Sequence, residues 1–159
     1  MELPDHDQPT QRIYGRLRRS GWLIMGSQQE TDDILEDSVR TRFKELMHAH
    51  TERSIDVEVF TLAIGAFERS LNNRPKVAFL EQPSTKRPEL SRDIRKLSRV
   101  ERISLALLEV ENFSLEEASQ IADRHRSVLE AALSRAVEML RDHALPEIIE
   151  TEWTSLGRA

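Results

Sequence analysis

The sequence predicts an all-α protein: two small helical lobes joined by a linker, the second lobe carrying a helix-turn-helix. Three observations point there. Apolar residues recur at spacings of three and four, and no period-two alternation of useful length occurs, so the elements are helices. Glycine is scarce, five in 159 residues, which leaves little for hairpin turns or phosphate-cradling loops. Three of the six prolines fall within residues 75–98, a stretch without strong periodicity that divides the chain.

Residues 1–10, with Pro4 and Pro9, read as a tail. A first helix is expected from Gln11 to about Leu23, basic through Arg12, Arg16, Arg18 and Arg19 and interrupted by Gly15 and Gly21. That basic run is expected to balance the acids of a neighbouring helix. Gly26-Ser27 breaks the chain. Ser27 and Glu30 have capping-box spacing, and Thr31 with Asp32 and Asp33 offers a second N-cap one turn later. Leu35, Val39, Phe43, Leu46 and Met47 then share a helical stripe, which should run to about His50.

A third helix follows Ser54, with Val57, Phe60, Ile64, Phe67 and Leu71 at spacings of three and four. Gly65 costs that helix about 1 kcal/mol against Ala. Asn72-Asn73-Arg74-Pro75 ends it, because proline cannot continue a helix and restricts its predecessor. The first lobe is therefore assigned to 11–74 and the linker to 75–90.

The second lobe is assigned to 91–145. Ser91 to Leu97 begins it, and from Arg99 to Leu145 there is neither Gly nor Pro. Ile103, Leu107 and Val110 share a face. Asn112-Phe113 makes a short turn, and Ser114-Leu-Glu-Glu117 is a capping box that opens a new helix. That helix turns Leu115, Ala118 and Ile121 inward. Asp123-Arg-His-Arg126 is a tight polar turn. Leu129, Ala132, Leu133, Ala136 and Leu140 then mark the buried face of a last, longer helix, with Leu133 expected against Ile121 and Leu107. A short helix, a turn and a longer helix is the helix-turn-helix pattern. Residues 146–159 form a C-terminal tail, in which Ile148, Ile149 and Trp153 are expected to pack back.

Composition narrows the function. The net charge of -5 is uneven: -3 over residues 1–74, +3 over 75–98 and -5 over 99–159. Nucleic-acid affinity rests largely on phosphate neutralisation by Lys and Arg, and neither acidic end suits a strong polyanion binder. There is no cysteine, hence no disulfide, thiolate metal site or Cys nucleophile, which fits a reducing cytoplasm. No run approaches the roughly 20 apolar residues of a membrane span. The acidic start, Met1 to Asp7, lacks the apolar core of a signal peptide. No nucleophile elbow, Gly-rich loop or His-Glu-x-x-His pattern occurs, so no enzyme, metal, cofactor or small-molecule substrate is expected.

The stretch from Phe113 to Leu140 resembles region 4 of the extracytoplasmic-function (ECF) sigma factors without a gap. Phe113-Ser-Leu-Glu-Glu-Ala-Ser-Gln-Ile121 matches the family's aromatic, Ser and paired Glu followed by small and aliphatic residues. Leu133-Ser134-Arg135-Ala136 stands where the family's recognition helix ends. Upstream, Leu97-Ser98-Arg99-Val-Glu-Arg102 with Leu105, Leu107 and Leu108 is similar to the start of region 4, and Thr31 to Val39 resembles the acidic helix of region 2. The resemblance spans about residues 12–142.

The departures shape the expectation. In the family the recognition helix meets DNA with basic and polar residues; here its outward positions are Ser127, Glu130, Ala131 and Ser134. The segment that reads and melts the -10 element should fall near Glu58–Leu71, where Phe60-Thr-Leu-Ala-Ile-Gly-Ala-Phe67 lacks the family's Trp and polar readers, although Arg69 remains. A sigma-like scaffold with blunted DNA faces is similar to the sigma-like portion of PhyR-type anti-anti-sigma regulators. In that family a receiver domain follows; the expectation here is a regulator with no receiver of its own or with one supplied elsewhere. The resemblance implies a cytoplasmic, bacterial transcription regulator that binds an anti-sigma factor by mimicry in a stress response, through Asp33, Glu36, Asp37, Phe60, Ile64 and Phe67. The alternative is an active ECF sigma factor binding core RNA polymerase and promoter DNA, with Arg124, His125, Arg126, Ser127 and Arg135 as the DNA-binding set.

Overall fold

The computed structural model describes residues 7–48, 54–74 and 93–141. The described residues contain helices and turns and no strand. The chain divides into two compact units, Met1–Asn72 and Asn73–Ala159. The segments expected as N-terminal tail, linker and C-terminal tail lie outside the described residues except for 7–10, which open the first helix.

In the first unit, α1 spans Asp7–Met25 without a break at Gly15 or Gly21. Gly21 is a point of close approach instead. A Cβ placed there would lie 2.7 Å from the Phe67 ring and closer still to the Thr31 methyl. Helix α1 stops at Gly26, whose φ of 77° only glycine adopts freely and whose N–H bonds back to the Trp22 carbonyl at 2.8 Å. Ser27 then caps α2 (Gln28–Ile34), its hydroxyl accepting the Glu30 N–H at 3.2 Å. Thr31 is no second cap. It is buried inside α2 and donates its hydroxyl to the Ser27 carbonyl at 2.7 Å, because the cap at Ser27 has already started the helix.

Helix α2 runs on through a wider π-helical segment, Leu35–Val39, into α3 (Arg40–His48). Leu35 and Val39 are buried as the stripe predicts; the side chains of Phe43 and Met47 lie outside the described residues. Helix α4 (Ile55–Asn72) is the hub, packed on α1, α2, the π segment and α3. Val57, Val59, Phe60, Ala63, Ile64, Ala66 and Phe67 are all buried, and burying side chains of that size contributes about 1.5–3 kcal/mol each for the larger ones. Its N-terminus is closed by the Ser54 hydroxyl, which accepts from Val57 at 3.3 Å.

In the second unit a single helical turn at 93–96 precedes α5 (Arg99–Ser104). Arg102 ties the two together: its guanidinium donates to the carbonyls of Ile94, Arg95 and Leu97 at 3.0–3.2 Å. Burial, then the neighbouring cations Arg74 and Arg95, pull the Arg102 guanidinium below its usual range. A full capping box at Ser98 and Glu101 opens α5. A second π-helical segment, Leu105–Val110, follows and buries Leu105, Ala106 and Leu107, while Val110 is half-buried.

Asn112 turns the chain with a positive φ of 56°, and a capping box at Ser114 and Glu117 opens α6 (Leu115–Ala122) as its spacing predicts. Asp123, at φ 51°, ends α6 in the left-handed region, and α7 (Arg126–Met139) begins one turn later. The core is Ile94, Leu97, Ile103, Leu105, Leu107, Phe113, Ile121, Leu129 and Leu140 with the alanines between them. Two inward expectations are corrected in this unit, and the first is Leu115, which is half-buried. Leu133 is only half-buried, because α7 faces the core along Leu129, Ala132, Ala136 and Leu140, and Leu133 lies on the shoulder of that stripe.

Urea unfolding of point variants should separate the stripe from its shoulder. Leu129→Ala, at a fully buried position, should cost about 2–5 kcal/mol, the range for a buried leucine truncation. Leu133→Ala should cost about 1–2 kcal/mol, since less surface leaves the core. Equal losses would mean that the stripe is misassigned.

Candidate functional site

Two surfaces carry the expected contacts, one in each unit. On the first, Asp33, Glu36 and Asp37 all face solvent on the outer side of α2 and the π segment, opposite buried Thr31, Leu35 and Val39. Glu36 is engaged by Arg40 through both oxygens at 2.8 Å, an exposed i,i+4 pair that adds little stability. The Tyr14 hydroxyl is pushed up by burial first and then by Glu36 and Asp32.

Two members of the basic run of α1, Arg16 and Arg18, turn towards the acids, while Arg12 is exposed. Arg18 grips Asp32 with two bonds, Nε at 2.7 Å and Nη2 at 3.0 Å, which raises the Arg18 guanidinium above its usual range. Arg16 reaches Asp56 at 2.8 Å and lies 5.1 Å above the centre of the Phe60 ring. The expectation that this run balances the acids of neighbouring helices holds for both residues.

Phe60, Ile64 and Phe67 do not belong to this surface. Their exposures are 0, 1 and 0%, inside the hub helix, so no partner reaches them in this conformation. Their spacing of three and four is that of the lobe's core. Of the polar side chains on the same helix, Arg69 is exposed.

The second surface is the turn before α7 and the outer face of α7. Asp123 and Arg124 form the turn: the Arg124 carbonyl accepts the Ser119 hydroxyl at 2.6 Å, and its guanidinium donates to the Ala122 carbonyl at 3.2 Å. His125 is the N-cap of α7. Its Nδ1 accepts the Ser127 N–H at 3.2 Å and sits 2.7 Å from the Ser127 hydroxyl, so both side chains are engaged in closing the helix. Arg126 is exposed. Ser127, Glu130, Ala131 and Ser134 are exposed too, as the register predicts, whereas Ala132 is buried.

Arg135 is held from within the lobe. Its Nε donates to Glu101 Oε2 at 3.2 Å across the α5–α7 contact, and that Glu101 side chain is only 10% exposed. The backbone N–H of Ser98, the first cause, and Arg135 together keep the Glu101 carboxyl below its ordinary value of 4.5. Glu101 is absent from the expected site residues, although Ser98-x-x-Glu101 is itself a capping-box spacing.

Among the described residues no group of His, Asp and Glu is arranged to hold a metal, and no helix is long and apolar enough to cross a membrane.

No protein-family model and no curated protein matches the chain. Solved structures do. The sigma factor RpoE from Bartonella quintana, solved in complex with the anti-sigma factor NepR, superposes with a TM-score of 0.72 at 17% identity, over 88% of this chain and 96% of that one. The anti-anti-sigma factor PhyR from Bartonella quintana, also complexed with NepR, superposes with a TM-score of 0.58 at 17% identity, over 90% of this chain. This chain spans 51% of that PhyR chain. The all-α, two-lobe fold of this chain is thus the fold of these two neighbours, a sigma factor and an anti-anti-sigma factor.

The Glu101 carboxylate gives a pH test. Its folded value is depressed, so its contribution is complete above the unfolded value near 4.5 and is lost as pH falls through the folded value. In urea unfolding followed by circular dichroism, wild type should exceed Glu101→Gln in midpoint at pH 7, and the gap should close on acidification. A gap that stays constant with pH would contradict an ionised, stabilising Glu101.

Proposed function

We propose that this chain is a sigma-factor-like transcription regulator that binds an anti-sigma factor by mimicry, and so controls transcription initiation in a bacterial stress response. It acts in the cytoplasm through protein contacts, without catalysis or cofactor. The observation that carries this reading is the outer face of α7. A helix that reads DNA needs cations and available hydrogen-bonding side chains there, yet Glu130 and Ala131 stand exposed, the Ser127 hydroxyl is engaged by His125, the Ser134 hydroxyl bonds back to the Glu130 carbonyl, and Arg135 is tied to Glu101. That both similar structures were solved with an anti-sigma factor supports the choice of partner. Asp33, Glu36 and Asp37 supply the acidic docking face, with Phe60, Ile64 and Phe67 as the core beneath the lobe rather than part of the contact.

The second reading is an active ECF sigma factor that binds core RNA polymerase and promoter DNA. The better superposition favours it: RpoE matches over nearly its whole length, and more closely than PhyR. Arg124, His125, Arg126, Ser127 and Arg135 would then face DNA, although only Arg126 among the cations is free of bonds that close the turn or tie the lobe.

A quantified pull-down decides between them, with core RNA polymerase and a small helical anti-sigma factor as competing partners and promoter duplex titrated in parallel. The mimic should retain the anti-sigma factor, pass over the polymerase, and bind duplex only nonspecifically, with Kd of roughly 10⁻⁴–10⁻⁶ M at physiological salt. Polymerase capture with nanomolar, sequence-specific DNA binding would establish the sigma factor instead.

A further inference from the structure

Glu101 has two oxygens and two separate tasks. Oε1 accepts the Ser98 N–H at 3.0 Å and closes the capping box of α5. Oε2 accepts the Arg135 Nε at 3.2 Å, 34 residues further along the chain. The first bond fixes the carboxylate, so the second cannot be relieved by a simple rotation of Glu101. The two partners differ in exposure: the Glu101 side chain is 10% exposed and Arg135 is 57% exposed. The cation therefore stands at the surface of α7 with its counter-charge anchored in the protein beneath it.

Carboxylate and phosphate oxygens are alternative ligands for a guanidinium. DNA affinity arises when protein cations neutralise phosphates and release condensed counterions, so a cation already matched by a fixed anion contributes less. We propose that Glu101 is an internal counter-anion for Arg135, standing in for a nucleic-acid phosphate, and that it holds down the affinity of the α7 face for a DNA backbone. This deepens the proposed function and rests on it: a mimic must keep a sigma-like shape without being drawn to DNA. Arg135 lies mid-helix, between the Glu130 and Ser134 side and the exposed Val128 and Met139, so freeing it would restore a cation to a face otherwise short of them.

The test uses the full chain and a short fluorescent duplex of mixed sequence, followed by anisotropy across a salt series that starts low enough for nonspecific binding to register. Glu101→Gln removes the charge but keeps a residue that serves in a capping box, so α5 keeps its cap, which a melting curve checks. Its duplex affinity should rise about three- to tenfold, and its log–log salt slope should steepen by about 0.9, the signature of one more phosphate contact. Adding Arg135→Ala to that variant should return both quantities to wild-type values. In the wild-type background Arg135→Ala should change affinity by less than about twofold, because its charge is already matched.

Three results would overturn the proposal. One is a folded Glu101→Gln protein with unchanged affinity and slope. Another is a gain that survives Arg135→Ala. The last is a loss of more than about threefold on Arg135→Ala alone, which would show that Arg135 already reaches phosphate, and which reads out even if Glu101→Gln does not fold. Anti-sigma capture by the wild type, measured alongside, keeps this outcome distinct from the fate of the proposed function. An internal counter-anion predicts the same DNA results whichever protein is captured.

Discussion

The structure of the second lobe depends on one constraint: α7 must turn Leu129, Ala132, Ala136 and Leu140 to the core at once. These positions fall at spacings of three and four and leave a single orientation of the helix about its axis. Everything else on α7 follows. Ser127, Glu130, Ala131 and Ser134 are exposed because they lie opposite that stripe, Leu133 is a shoulder residue, and Arg135 emerges where Glu101 of α5 can meet it. The chemistry that α7 offers to a partner is therefore fixed by packing.

The first lobe shows the same logic with a different hub. Helix α4 is apolar on most sides, and the other helices of the lobe wrap it. Close wrapping is possible because Gly21 lets α1 approach Thr31 and Phe67 with no Cβ between them. Two ion pairs of the lobe, Arg18 with Asp32 and Arg16 with Asp56, then join α1 to its acidic neighbours. What remains outward is the acidic edge at Asp33, Glu36 and Asp37, partly answered by Arg40. A sigma-like scaffold with an acidic first edge and a small, weakly charged second face suits contact with another protein better than contact with a polyanion.

Much of this was legible in the sequence, for physical reasons that differ from element to element. Capping boxes are local, so Ser114 with Glu117 reads directly, and the same spacing at Ser98 and Glu101 marks a helix start that the sequence reading passed over. Helical stripes read well because burial enforces their period. What sequence does not separate is a buried apolar stripe from an exposed one: Phe60, Ile64 and Phe67 have the same spacing whether they meet a partner or a core. Gly21 reads as a break because low helix propensity and close packing leave the same letter. Thr31 reads as a cap because its hydroxyl competes for the same backbone groups inside a helix. The Glu101–Arg135 pair spans 34 residues, and no local rule foretells it.

In the function we propose, this fold presents an anti-sigma factor with a sigma-like surface while its DNA-facing helix is silenced. The most direct measurement is displacement. A preformed complex of a fluorescent ECF sigma factor with its anti-sigma factor is titrated with the full chain, and the released sigma factor is followed by anisotropy and by restored transcription from its promoter in vitro. The expected result is stoichiometric release of the sigma factor and recovery of transcription, with no transcription when the chain alone is added to core polymerase. Transcription driven by the chain itself, with the preformed complex left intact, would contradict it.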